Sequence, residues 1–203
     1  MSYKSIFNKE SFSKKNVVVT GGGSGIGRCI AHELSSLGSD IILVGRNKEK
    51  LETVQKEIKS SNGNASFYVC DIREEDKVRQ CTKEIYEEFN IIHGLVNNAA
   101  GNFISRTQDL SHRGFDAIAS IVFHGTFYVT HSIGKRWLEL GMGGNIISIL
   151  ATWVWTGSAF TVPSAMSKSG IHAMTQSLAT EWGKTGIRIN AIAPGPFPTE
   201  GAW

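Results

Sequence analysis

A buried strand that runs straight into a glycine loop, and from there into an amphipathic helix, is the feature that most restricts what this chain can become. Asn16-Val-Val-Val-Thr20 is a short β-branched run, and Thr20-Gly-Gly-Gly-Ser-Gly-Ile-Gly27 follows it with no spacer. Apolar side chains then recur at Ile26, Ile30, Leu34 and Leu37, which is helical spacing, until Gly38 stops the helix. A flexible Gly-Ser linker has no need of such flanks. A turn whose backbone N–H groups must face a pyrophosphate at a helix N-terminus needs them all, because glycine allows positive φ and a close approach that a Cβ blocks.

The rest of the chain keeps the same alternation. Ile41-Ile-Leu-Val44, Ser66-Phe-Tyr-Val-Cys70, residues 91–96, Asn145-Ile-Ile-Ser-Ile149 and residues 187–192 read as further strands, with His93 and Gly94 interrupting the fourth. Leu51, Val54 and Ile58 mark a second helix, and Val78, Cys81, Ile85 and Phe89 a third. Long helical stretches cover 115–140 and 164–182. Strand–helix alternation selects a doubly wound α/β fold of Rossmann type, with a parallel sheet, right-handed crossovers and a ligand at the carboxyl ends of the strands. Its 203 residues suit a single domain over 1–203, with no repeat or linker. Such folds usually carry more chain after a sixth strand than Thr199-Glu-Gly-Ala-Trp203, so the domain is expected to lack its C-terminal end.

Composition narrows the function. Hydrophobic residues make up 41% and charged residues 19%, enough for a packed core. A net charge of +3 with scattered Lys and Arg favours a site for anionic phosphates over nucleic acid. Three cysteines without Cys-x-x-Cys spacing, and six histidines without His-Glu-x-x-His, support neither a disulfide framework nor a metal site. No secretory signal opens the chain and no run is long enough to span a bilayer, so a cytoplasmic protein is expected. At the end of the second strand stands Gly45-Arg46-Asn47 and not the acid that would hold a free ribose 2′-hydroxyl. Arg46 can stack on adenine and fork onto a 2′-phosphate, which points to NADP(H).

The loop spacing is Thr-Gly-x-x-x-Gly-x-Gly, with Gly21, Gly25 and Gly27 in the glycine places, and here the chain resembles the short-chain dehydrogenase/reductase family. Asp71 after the third strand, Asn97-Asn-Ala-Ala-Gly101 after the fourth and Pro194-Gly-Pro196 after the sixth extend the resemblance over nearly the whole chain. It implies a cofactor site of Gly21, Ser24, Gly25, Ile26, Gly27, Arg46, Asp71, Ile72, Asn98, Ala99, Ala100, Lys168, Pro194, Gly195 and Pro196. Ordinary members use Tyr-x-x-x-Lys. This chain keeps Lys168 but has Ser164 four residues earlier and Ala151 in place of the upstream serine. Serine is too weak an acid to replace that tyrosine at neutral pH.

The 2,4-dienoyl-CoA reductases of the family tolerate that change, and the chain is similar to them in Asn97-Asn-Ala-Ala-Gly-Asn-Phe-Ile-Ser105 and in Pro163-Ser-Ala-Met-Ser-Lys168. The resemblance implies NADPH-dependent conjugate reduction of an acyl-CoA in unsaturated fatty-acid breakdown, by a homotetramer packed through its long helices. Asn102 is the first candidate for binding the thioester oxygen, Lys168 for holding the nicotinamide ribose, and Ser164 for bonding either. Arg73, Phe103 and Ser111 match substrate-contacting places, although a solvated charge and a helix cap explain Arg73 and Ser111 equally well. Trp153 stands where a catalytic tyrosine is found in related enzymes, and either donates its indole N–H or forms an apolar wall. His124 replaces an asparagine that helps to hold a water near the lysine. Reduction of another acyl-CoA or carbonyl, and a catalytically degenerate NADPH-binding protein, are the rival readings.

Overall fold

The computed structural model describes residues 5–197; the chain end at 199–203 lies outside them. Six strands form one parallel sheet in the order β3-β2-β1-β4-β5-β6. They are β1 Asn16–Thr20, β2 Asp40–Gly45, β3 Asn64–Val69, β4 Gly94–Asn97, β5 Gly144–Ile149 and β6 Ile187–Ile192. Between them run α1 Gly25–Ser36, α2 Lys48–Ser60, α3 Glu75–Phe89, α4 His112–Ala119, α5 Gly125–Glu139, the short α6 Trp153–Thr156 and α7 Val162–Trp182. The order reverses beside β1, whose residues pair with β2 on one side (Val18 with Ile42) and β4 on the other (Val18 with Leu95). That reversal opens a crevice at the strands' carboxyl ends.

Alternate residues of the strands serve opposite layers. Val17, Val19, Ile41, Leu43 and Val96 pack with Ala31 of α1 and Leu51, Val54 and Ile58 of α2. Val18, Ile42, Leu95 and Ile146 pack with Val78 and Ile85 of α3, Val129, Ile133 and Trp137 of α5, and Trp182 of α7. Because both faces are covered over β1, its run Val17–Val18–Val19 shows no polar alternation. Trp137 is fully buried and donates its indole N–H to the Ile92 carbonyl at 2.7 Å, so its polar atom costs little.

Three local expectations are corrected. The fourth strand begins at Gly94, not 91. Ahead of it the His93 Nδ1 accepts from the Asn16 N–H at 3.0 Å, and the Asn16 side chain donates to the Ile91 carbonyl at 2.6 Å, so 91–93 serve as a side-chain-stitched approach. The third strand ends at Val69, leaving Cys70 just past it, though the Cys70 N–H still donates to the Gly45 carbonyl at 2.9 Å. The stretch expected as one helix over 115–140 starts earlier, at His112, and contains a π-helical segment, Ser120–His124, between α4 and α5. A π segment widens the turn to i→i+5 hydrogen bonds inside an otherwise α-helical stretch, and apolar periodicity alone does not reveal it.

Candidate active site

The crevice between β1 and β4 is a cleft of about 570 Å³. Its floor is the glycine loop. Gly21 has φ +64° and donates its N–H to the Val44 carbonyl at 2.7 Å, and Gly25 has φ +52°. A Cβ on Gly21 would lie 2.9 Å from the Ala99 Cα, and one on Gly27 would overlap the Gly21 carbonyl and come within 2.5 Å of the Asn98 Nδ2. Gly27 does not line the cleft; it lets α1 start tight against the loop. The Ser24 side chain makes no cap bond, and the first helical N–H to find a partner is that of Arg28, which donates to the Ser24 carbonyl at 3.0 Å. Ser24, Gly25 and Ile26 therefore present their positions at the helix start to the cleft, which suits an anion.

Thr20 pins this floor to the neighbouring strand. Its buried hydroxyl accepts from the N–H groups of Asn98 and Ala99 at 3.0 and 3.1 Å and donates to the Val96 carbonyl at 3.3 Å. The Asn98 side chain donates to the Thr20 and Gly21 carbonyls at 3.1 and 3.3 Å. Asn97 points the other way and donates to the Thr130 hydroxyl at 2.8 Å. The sequence placed Asn98 in the cofactor site but assigned Thr20 no role; a hydroxyl closing an otherwise apolar strand was the available signal.

Arg46, exposed at the end of β2, lines one end of the cleft and forms no ion pair among the described residues. Asp71 and Ile72 line the same end, but the Asp71 carboxylate is engaged. Arg73 donates from Nε to Oδ1 at 2.9 Å and from Nη2 to Oδ2 at 2.5 Å, which holds the Asp71 carboxyl below its usual range. Arg73 is thus clamped on Asp71 and is not part of the cleft wall. Ser111 is not part of it either; its hydroxyl caps α4 by accepting from the Gly114 N–H at 3.1 Å. Phe103 is 41% exposed and sits over Gly114.

The opposite end gathers Asn98, Ala99, Ala100, Asn102, Ile121, Ala151, Trp153, Lys168, Pro194, Gly195 and Pro196 around the cleft, from segments up to 98 positions apart. Lys168 is buried on α7 and donates to the Ile149 carbonyl; burial lowers its pKa to about 8. Ser164, one turn earlier, is 3% exposed, does not line the cleft and is not hydrogen-bonded to Lys168. The Trp153 Nε1 is buried without a partner among the described residues, on a side chain that lines the cleft. His124 is exposed on the π segment and meets the rings of Phe123 and Tyr128. Cys70, Thr152 and Phe197, which no motif of the sequence marks, also line the cleft.

A glycine cradle at the switch point of a doubly wound parallel sheet defines a dinucleotide-binding protein of Rossmann type. More narrowly, the chain belongs to the short chain dehydrogenase family, whose model matches residues 15–203, and that fold implies a nicotinamide cofactor. It is 44% identical over 195 residues to a probable (3E)-enoyl-CoA-producing 2,4-dienoyl-CoA reductase of Caenorhabditis elegans, covering 95% of this chain and 63% of that protein. A probable (2E)-enoyl-CoA-producing 2,4-dienoyl-CoA reductase of Bacillus subtilis is 39% identical over 189 residues, covering 93% and 74%. Among solved structures, a citronellol catabolism dehydrogenase of Pseudomonas aeruginosa superposes with a TM-score of 0.90 at 41% identity, covering 95% of this chain and 79% of that one. The chain spans a little under two thirds of the length of its first curated relatives. Among the described residues no helix is long and apolar enough to cross a membrane, and no group of three or more His, Cys, Asp or Glu could hold a metal.

Proposed function

We propose that this protein reduces 2,4-dienoyl-CoA thioesters with NADPH. One observation carries the reading: at the Lys168 end of the cleft the neutral donors Asn102 and Trp153 surround a single titratable group, Lys168, while Ser164 stands buried outside it. A site of this kind binds an oxygen that gains charge; it is poorly equipped to protonate a carbonyl as a tyrosine would.

The cradle of Gly21, Gly25 and the α1 N-terminus fits a pyrophosphate, and the Arg46 guanidinium, without an ion pair among the described residues, fits a ribose 2′-phosphate, which favours NADP(H) over NAD(H). Held by the glycine cradle and Arg46, NADPH would supply a hydride for the far end of the conjugated system. Lys168, fixed by the Ile149 carbonyl, is assigned to the nicotinamide ribose and adds positive potential. The Asn102 amide, which lines the cleft, and the Trp153 N–H, which has no partner among the described residues, are assigned to the thioester oxygen as the dienolate forms. Water then delivers the proton to carbon. The substrate-contacting places Phe103, Arg73 and Ser111 lie outside the cleft wall, so they belong to the path of the CoA portion or to structure alone.

A homotetramer packed through α5 and α7 is part of the same reading. Phe127 of α5 and Met166 of α7 are 46% and 58% exposed, and Phe123 on the π segment before α5 is 42% exposed, an apolar surface that a second copy would cover. The cytoplasm is the proposed location, supported by three free thiols. The test is to mix the purified protein with NADPH and a panel of dienoyl-CoA, enoyl-CoA and 3-oxoacyl-CoA thioesters, following nicotinamide absorbance. Turnover of the dienoyl thioester, lost in Lys168→Ala and Asn102→Ala, is expected. Tight NADPH binding with no turnover of any member would refute the activity and leave a cofactor-binding protein.

A further inference from the structure

Basic residues are spread along the chain, but the excess of positive charge is not. Residues 1–15 carry Lys4, Lys9, Lys14 and Lys15 against a single acid, Glu10, a net of +3. The whole chain is also +3, so residues 16–203 hold 17 basic and 17 acidic side chains and balance. The same short arm, ahead of β1, displays apolar surface. Ile6, 93% exposed, is the most exposed large apolar side chain among the described residues, and its neighbour Phe7 is 62% exposed.

Hydrogen bonds fix the arm against the ends of α1 and β2. The Phe12 N–H donates to the Leu37 carbonyl at 2.9 Å, and the Asp40 N–H donates to the Lys15 carbonyl at 2.9 Å. Nearer the tip, the Ser5 hydroxyl donates to the Glu33 carboxylate of α1 at 2.6 Å and accepts from the Phe7 N–H at 3.0 Å. On the other flank, Asn8 accepts from the Glu10 N–H at 3.2 Å and from the Ser11 hydroxyl at 2.8 Å. Ile6 and Phe7 therefore stand on a turn that is held from both sides, with Lys9, Lys14 and Lys15 exposed beside it. These anchors lie at the amino ends of β1 and β2, the end of the sheet opposite the nucleotide cleft.

We propose that residues 5–15 dock the protein onto an anionic lipid surface, with Ile6 and Phe7 among the acyl chains and the lysines on the headgroups. Apolar transfer favours taking the two protruding side chains out of water, and anionic headgroups attract the lysines. Two side chains alone make a weak anchor, and a few lysines alone are screened by salt; the combination gives reversible binding. A narrow apolar tip ringed by lysines suits a deformable bilayer. A protein partner would call for a broad, complementary patch, which the tip does not offer. Such contact needs no spanning helix, and it leaves the cleft open to NADPH from the water side. The binding does not rest on the acyl-CoA reading. That reading gives it a use, because the acyl chain of a thioester partitions into bilayers.

The experiment uses the full chain, sedimented with vesicles of phosphatidylcholine alone or with about a third phosphatidylserine. Binding to the anionic vesicles about tenfold tighter than to the neutral ones is expected, and it should weaken as salt is added. Ile6→Ser with Phe7→Ser, and separately Lys9→Gln with Lys14→Gln, should each weaken it about tenfold. Thermal melting and NADPH titration should stay as in the parent for both. No binding to the anionic vesicles, equal binding to both kinds, or binding that survives the serine pair overturns the proposal. So does a changed oligomeric state of the serine variant in analytical ultracentrifugation, which would assign the tip to a contact between copies.

Discussion

Replacing Lys168 by methionine should make the ligand-free protein more stable at neutral pH and remove a pH dependence that the parent shows. The side chain is almost fully buried, with no carboxylate partner among the described residues, and burial lowers its pKa from 10.5 to about 8. At about 1.4 kcal/mol per pH unit, folding with the charged form costs about 3 kcal/mol. The unfolded chain holds this proton up to 10.5 and the folded chain releases it near 8. The penalty is therefore complete below pH 8 and fades as the pH rises toward 10.5, so stability increases with pH across that window. Between pH 6.5 and 9.5 the change from this one group is about 2 kcal/mol. Methionine keeps much of the volume and removes the charge, at the loss of the bond to the Ile149 carbonyl, worth about 1 kcal/mol. Urea unfolding at the two pH values, parent against variant, measures the difference directly and cancels the other titrating groups. A variant that is less stable than the parent by the same amount at both pH values would refute the reasoning. The residue would then cost nothing in the folded state, and a buried lysine could not be described as strain held for the sake of the site.

Other expectations follow from the same geometry. Arg46→Ala should weaken NADPH binding by about 1.5–3 kcal/mol and leave NADH nearly unchanged, because only the 2′-phosphate loses a charge-assisted bond; equal losses in calorimetry would count against the assignment. Gly27→Ala forces a methyl into the Gly21 carbonyl and the Asn98 amide, so it should cost about 1–3 kcal/mol in thermal stability and weaken NADPH binding as well. Trp153→Phe keeps the wall and removes the indole donor. A fall in kcat of about tenfold is expected, whereas unchanged turnover would mean that Trp153 acts only as an apolar surface.

Much of the fold was legible in the chain because its signals are short-range. A β-branched run, a helical period and a glycine that needs positive φ are properties of a few consecutive residues. They placed β1, β6 and the loop of Gly21, Gly25 and Gly27 correctly. Where the outcome depended on contacts made by distant side chains, the reading slipped. The start of β4 depended on Asn16, nearly eighty positions away, and the π segment on how α4 and α5 meet the rest of the protein.

The same division holds for the site. The order of motifs sufficed to place a dinucleotide cradle, an arginine at the second strand and a lysine on the last helix, since each motif sits at the end of an element that the chain itself announces. Tertiary structure alone decided which groups remain free to act. It clamps Arg73 on Asp71, commits Lys168 to Ile149, buries Ser164 away from the cleft and leaves the Trp153 N–H without a partner among the described residues. Hydrogen-bond partners and burial are set by which strands and helices become neighbours, and no local pattern carries that information.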